Sequence, residues 1–159
     1  MALQAPILLT ATHGLADFDS GVASLDDWLR RRALANQLSG ASRVYVVTTE
    51  DDRVVGYYAL ASGALAHVDA PGRLKRNMTD PIPMAIPGRL AVDRSMQGRG
   101  LGVALLQDAV LRVRQAASIV GIRGMLVHAI SEEARAFYEH HGFIAATTNP
   151  LMLFLPIPP

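Results

Sequence analysis

The chain is expected to fold as an α/β (α+β) domain, with a mixed central sheet of about six to seven strands flanked by helices. Three observations lead there. Strand-like and helix-like periodicities alternate along the sequence, a glycine-rich junction joins an apolar run to a long amphipathic segment, and 50% of the residues are apolar. At 159 residues, one domain spanning 1–159 with a substantial core is expected. The absence of cysteine excludes disulfides and thiolate zinc sites. No apolar run approaches the roughly 18 residues of a membrane span, and no basic-then-apolar leader opens the chain. A cytoplasmic location without membrane contact follows as the expectation. The net charge of +1 argues against wholesale coating of nucleic acid, although the local clusters Arg30-Arg31-Arg32 and Arg73-Leu74-Lys75-Arg76 stand out.

Each element has a local reason. Residues 7–11 read as a short edge strand, followed by a polar link through Gly21. Ser24-Leu25-Asp26-Asp27 fits a capping box with Ser24 at the N-cap, which predicts a helix from there to Ser39-Gly40 with Leu25, Trp28 and Leu29 on one face. Residues 43–49 and 54–67 are rich in Val and Tyr and are parted by Glu50-Asp51-Asp52-Arg53, a hairpin with a polar tip. Residues 70–83 mix Pro, Gly and basic side chains and are expected to form a functional or mobile loop that faces substrate. The strand at 84–92 contains Pro87-Gly88, where its pairing should be interrupted. From 101 to about 120, Leu106, Ala109, Val110, Val113, Ala117 and Val120 repeat with helical period. Residues 124–129 suit a strand, Ser131 caps a helix running to about His141, and Gly142 stops it. Residues 143–146 and 151–155 are the last two strand candidates.

The chemistry concentrates at Gln97-Gly98-Arg99-Gly100-Leu101-Gly102, between the 84–92 strand and the long helix. Glycine lets a ligand approach the backbone closely, and a helix N-terminus offers unpaired N–H groups to a diphosphate. A dinucleotide fingerprint needs a third glycine where Val103 stands and an acidic residue about 20 positions on, near the apolar Val120. NAD and FAD are therefore disfavoured. A Walker loop needs Gly-Lys-Ser/Thr, which is missing, so ATP and GTP are disfavoured as well. The spacing that does fit is Q/R-x-x-G-x-G/A, met by Gln97, Gly100 and Gly102.

That loop resembles the acetyl-CoA pyrophosphate loop of the GNAT N-acetyltransferases, and the element order resembles their fold over nearly the whole chain. Leu25-Asp26-Asp27-Trp28-Leu29, Gln37, Ser42-Arg43-Val44-Tyr45 and Val55-Gly56-Tyr57-Tyr58-Ala59-Leu60 resemble one subgroup, the GNAT toxins of type II toxin–antitoxin systems. Gly88-Arg89-Leu90-Ala91-Val92-Asp93, the run 102–109, Leu126-Val127-His128-Ala129 and the run 136–143 extend the match. Ser20 stands where many members carry a cysteine. The resemblance implies transfer of acetyl from acetyl-CoA to the α-amino group of aminoacyl-tRNA, blocking translation, with a ribbon-helix-helix antitoxin encoded nearby as partner. Self-association to a homodimer is left open.

Candidate residues follow from resemblance and chemistry together. Tyr138 is the candidate general acid for the departing thiolate. Leu90, Ala91 and Val92 are expected to offer a backbone N–H to the thioester carbonyl. Gln97, Gly98, Arg99, Gly100, Gly102 and Val103 should hold the cofactor, and Arg30, Arg31, Arg73, Lys75, Arg76 and Arg89 should contact tRNA phosphates. An α-amino group, with a pKa of about 7.7–8.0 and lower as an ester, needs little help from a base. No metal is expected, since none of the five histidines stands in H-E-x-x-H. Two other readings stay open: an acetyltransferase of a small amine such as an antibiotic or polyamine, and a non-catalytic acyl-CoA-binding module.

Overall fold

The computed structural model describes residues 3–158, with the side chain of Arg73 outside the described residues. Seven strands form one mixed sheet in the order β1-β2-β3-β4-β5-β7-β6. They are β1 (Ile7–Leu8), β2 (Arg43–Thr48), β3 (Val54–Leu65), β4 (Ile82–Val92), β5 (Gly124–His128), β6 (Ile144–Ala145) and β7 (Met152–Pro156). The helices are α1 (Ala23–Trp28), α2 (Leu34–Ser39), α3 (Gly72–Lys75), α4 (Leu101–Ala117) and α5 (Glu132–His140). The chain packs as two compact units, Met1–Ala61 with Gly88–Ala109 and Ser62–Pro87 with Val110–Pro159.

In the first unit, β2 and β3 form the expected hairpin, in register from Arg43↔Leu60 to Thr48↔Val54, and β1 adds antiparallel at the edge. Leu9, Phe18, Leu29, Val44, Val46, Val54 and Tyr57 make its core, with Leu25 and Trp28 packed against it. The first helix departs from expectation at both its start and its middle. Val22, not Ser24, is the N-cap and gives no side-chain bond. The carboxylate of Asp26 turns back instead, accepting from the Ser20 N–H at 3.0 Å and the Ser20 hydroxyl at 2.6 Å. A buried carboxylate satisfied by the chain before the helix thus replaces the local box. Between α1 and α2 the helix passes through one π turn, Leu29–Ala33, carrying all three clustered arginines. The end of α2 is fixed to β2 by Gln37, whose Oε1 accepts from the Val44 N–H at 2.9 Å.

In the second unit, β5 pairs antiparallel with β7 from Gly124↔Pro156 to His128↔Met152, and β6 pairs with β7 on its other side. β5 also pairs parallel with β4 at Met84↔Gly124 and Ala85↔Met125. The expected break at Pro87-Gly88 is not a break in β4, which runs through both residues; the parallel register lies before them. Segment 67–81 is folded rather than a bare loop: a 3₁₀ turn at His67–Asp69 leads to α3, and the fully buried Leu74 anchors it. α4 ends at Ala117, so Val120, 56% exposed, lies beyond the helix instead of on its buried stripe. Ser131 caps α5 as expected, accepting from the Ala134 N–H at 3.1 Å.

Gly124 shows how tightly this pairing is drawn. A Cβ there would lie 2.7 Å from the Leu155 carbonyl oxygen and 3.0 Å from Met84 Cε. Backbone cannot yield as a side chain does, so Gly124→Ala is expected to cost about 1–3 kcal/mol. A lower midpoint in thermal or urea unfolding checks it, and an unchanged midpoint refutes it.

Candidate active site

The glycine loop begins where β4 ends. Asp93 follows Val92 directly, and its N–H donates to the Val55 carbonyl at 2.8 Å. Alternation along a strand then turns the N–H groups of Leu90 and Val92 toward the edge away from β3. These two are the donors that suit a developing oxyanion, which narrows the expected stretch Leu90, Ala91, Val92. Asp93 is buried and accepts four bonds. Its Oδ1 takes the Asp19 N–H at 2.9 Å, and its Oδ2 takes the Ser95 N–H at 3.0 Å, the Ser95 hydroxyl at 2.6 Å and Arg53 Nη2 at 3.4 Å. Burial alone would raise its pKa, but these bonds and the Arg53 charge outweigh it and hold the carboxyl below its ordinary value.

After a 3₁₀ turn at Arg94–Met96, Gln97 is committed to the frame. Its Nε2 donates to the Ser20 and Val92 carbonyls, each at 2.9 Å, so its side chain fixes the loop and is not free to grip a ligand. Gly98 and Gly100 have φ of +76° and +82°, which only glycine adopts without strain. A Cβ on either would meet nothing within 4 Å, and one on Gly102 would meet only Val92 Cγ2 at an ordinary 3.8 Å. At Gly102 neither the backbone angle nor packing within the protein demands glycine, whereas a ligand lying on the backbone would. The first intrahelical bond runs from the Ala104 N–H to the Gly100 carbonyl, leaving the N–H groups of Leu101, Gly102 and Val103 ahead of it. Arg99 is exposed and makes no ion pair among the described residues. Open glycines, free N–H groups and a mobile cation fit a diphosphate.

The other basic candidates of this unit differ from one another. Arg30 is tied down, its guanidinium donating to the Phe18 carbonyl at 2.7 Å and pairing with Asp27 at 3.1 Å. Arg31 is exposed and without a partner among the described residues. Arg89 lies 4.5 Å over the Trp28 ring, which itself stacks on Tyr57 at 6.0 Å. Tyr57 is structural: its hydroxyl donates to the Leu25 carbonyl at 2.6 Å, and burial pushes its pKa well up.

In the second unit, Tyr138 lies on α5 with 9% exposure, between Phe137 and Phe143, both with ring centroids at 5.3 Å. Burial pushes its pKa up to about 12. Its hydroxyl has no hydrogen-bond partner among the described residues, unlike that of Tyr57. A protonated, unengaged phenol in an apolar setting suits a proton donor. His128 ends β5, exposed. Lys75 and Arg76 are exposed at the end of α3, while the side chain of Arg73 lies outside the described residues. Among the described residues, no group of His, Asp and Glu could hold a metal.

The structure thus gathers Leu90, Ala91, Val92, Gln97, Gly98, Arg99, Gly100, Gly102 and Val103 at one strand-to-helix junction in the first unit, and places Tyr138 in the second. Sequence reasoning missed the role of Asp93. The signal available was a lone acidic residue at the end of an apolar strand, four positions before the motif glutamine.

Comparison with known proteins bears directly on this geometry. Residues 40–145 match the family model described as an acetyltransferase (GNAT) domain. The chain is 56% identical over 151 residues to a tRNA-acetylating toxin of Mycobacterium tuberculosis, covering 95% of this chain and 90% of the relative. It superposes with a TM-score of 0.90 and 33% identity on AtaT complexed with acetyl-methionyl-tRNAfMet, covering 98% of this chain and 95% of that one. A tyrosine-to-phenylalanine variant of AtaT bound to the C-terminus of the antitoxin AtaR and acetyl-CoA matches with a TM-score of 0.83 and 32% identity, covering 97% and 92%. On its junction, its fold and these likenesses, the chain belongs to the GNAT acetyltransferase family.

Proposed function

We propose that this chain is a toxin acetyltransferase that moves acetyl from acetyl-CoA to the α-amino group of aminoacyl-tRNA, arresting translation until a ribbon-helix-helix antitoxin binds it. The observation that carries this reading is the 56% identity to a tRNA-acetylating toxin over 95% of the chain. The solved complexes of AtaT with acetyl-methionyl-tRNAfMet and with AtaR and acetyl-CoA support the acceptor, the antitoxin and the donor.

Acetyl-CoA supplies an activated thioester, and the chain's own residues do the rest. The N–H groups of the 98–103 segment and Arg99 hold the diphosphate. The Leu90 or Val92 N–H steadies the charge that grows on the carbonyl oxygen as the amine attacks. Tyr138 gives its proton to the sulfur as the C–S bond breaks. The acceptor amine loses a proton to water, since with a pKa of about 7.7–8.0 or lower it is partly neutral at physiological pH. Lys75, Arg76, Arg73, Arg31 and Arg89 offset tRNA phosphates, while Arg30 shapes the chain around Phe18.

Incubation with acetyl-CoA and total charged tRNA, followed by mass spectrometry of the released amino acids, tests the reading; turnover of a small amine with no acetylated aminoacyl product overturns it. Tyr138→Phe is expected to lower kcat about 10²-fold with acetyl-CoA affinity unchanged by calorimetry. The same tyrosine sets a pH dependence. Because its pKa is raised to about 12, the proton donor stays loaded, so initial rates should climb as the amine deprotonates and then hold level past pH ~10, where an ordinary phenol would already have failed. A descending limb near pH 10 would count against Tyr138. Reversing Lys75 and Arg76 to glutamate should raise KM for charged tRNA and flatten its salt dependence, with calorimetric acetyl-CoA affinity intact.

A further inference from the structure

The loop that meets the diphosphate does nothing to hold itself. Gly98 and Gly100 have no heavy atom within 4 Å of where a Cβ would be, and residues 97–100 are all exposed. Its shape must come from its anchors. On the helix side the anchor is α4, whose Leu105 and Leu106 are buried and whose Asp108 accepts from the Tyr58 hydroxyl. On the strand side two side chains converge on one strap, residues 18–21. Gln97 holds the Ser20 carbonyl, and Asp93 holds the Asp19 N–H. The strap is drawn in from its other side too. Asp26 takes the Ser20 N–H and hydroxyl, Arg30 donates to the Phe18 carbonyl, and the Arg94 N–H donates to the Asp19 carbonyl at 2.8 Å.

We propose that Asp93 is a positioning residue for acetyl-CoA, setting the 97–102 loop by joining the strap at Asp19, the turn at Ser95 and the hairpin residue Arg53 through one buried carboxylate. This deepens the proposed function and rests on its assignment of acetyl-CoA to the loop. Asp93 touches neither donor nor acceptor. Its two oxygens collect four donors from three separated segments, and the residue four positions on, Gln97, starts the loop. An amide in its place keeps one acceptor oxygen for Asp19 but presents N–H groups to the Ser95 N–H and to Arg53, where only an acceptor fits. The turn at 94–96 then loosens, and the loop samples geometries in which its N–H groups no longer converge. The loss falls on cofactor affinity. Once acetyl-CoA is bound, the oxyanion donors and Tyr138 act as before.

The test is Asp93→Asn in the full chain, with acetyl-CoA binding measured directly by calorimetry in the absence of tRNA. Kd is expected to rise about tenfold, with kcat at saturating acetyl-CoA within about twofold of wild type and KM for the acceptor unmoved. Ser95→Ala, which deletes the hydroxyl and keeps the Ser95 N–H, should raise Kd about threefold and carries the test if the asparagine variant fails to fold. A purely structural role would lower the melting temperature or the folded fraction and leave Kd of the folded protein unchanged; that result, or a fall in kcat with Kd intact, overturns the proposal. If wild-type protein binds no acetyl-CoA in this assay, the assignment of the loop fails first, and the two failures are told apart.

Discussion

The side-chain amide of Gln97 is the contact on which the cofactor end of the first unit depends. It is planar and has two N–H groups, and it spends both on carbonyls from segments 77 and five residues away. A single side chain thereby closes the end of β4 against the strap before α1. That closure frees the following residues from any structural duty, so Gly98 and Gly100 can take left-handed angles and stay bare. A loop that had to hold its own shape would need side chains, and those side chains would fill the space a diphosphate needs.

Two tyrosines show how the same environment yields opposite uses. Burial raises the pKa of both Tyr57 and Tyr138. Tyr57 gives its proton permanently to the Leu25 carbonyl and stacks with Trp28, so it braces α1 against β3. Tyr138 is held only by ring contacts, with Phe137 and Phe143 fixing the plane and leaving the hydroxyl uncommitted. Residue type and burial do not distinguish a brace from an acid; the fate of the hydroxyl does.

Much of this was legible in the chain because it is local. The hairpin at 43–65, the Ser131 cap and the strand–glycine–helix junction each depend on neighbours within a few residues, and each formed as expected. Ser24 misled because a capping box is a local pattern that Asp26 overrides with bonds to Ser20, which has its own tie to Gln97. Val120 continued a helical period past the point where α4 had ended, since periodicity registers apolar spacing but not termination. The clamp at Asp93 was invisible because its donors lie 74 and 40 residues away as well as two. The same holds for Arg30: a basic cluster shows charge, not that one guanidinium is spent on a carbonyl 12 residues earlier.

The π turn at Leu29–Ala33 has a consequence for how this helix tolerates insertions and deletions. An ordinary helix advances about 100° per residue, so dropping one residue from the turn would rotate everything after it by that angle relative to α1. Gln37 would swing away from the Val44 N–H, and Leu34 would leave the core it packs against. Substitutions along this stretch are absorbed one side chain at a time. A lost codon is not, and the arginine-bearing turn therefore makes the length of this helix, more than its composition, the trait that an ancestral sequence had to keep.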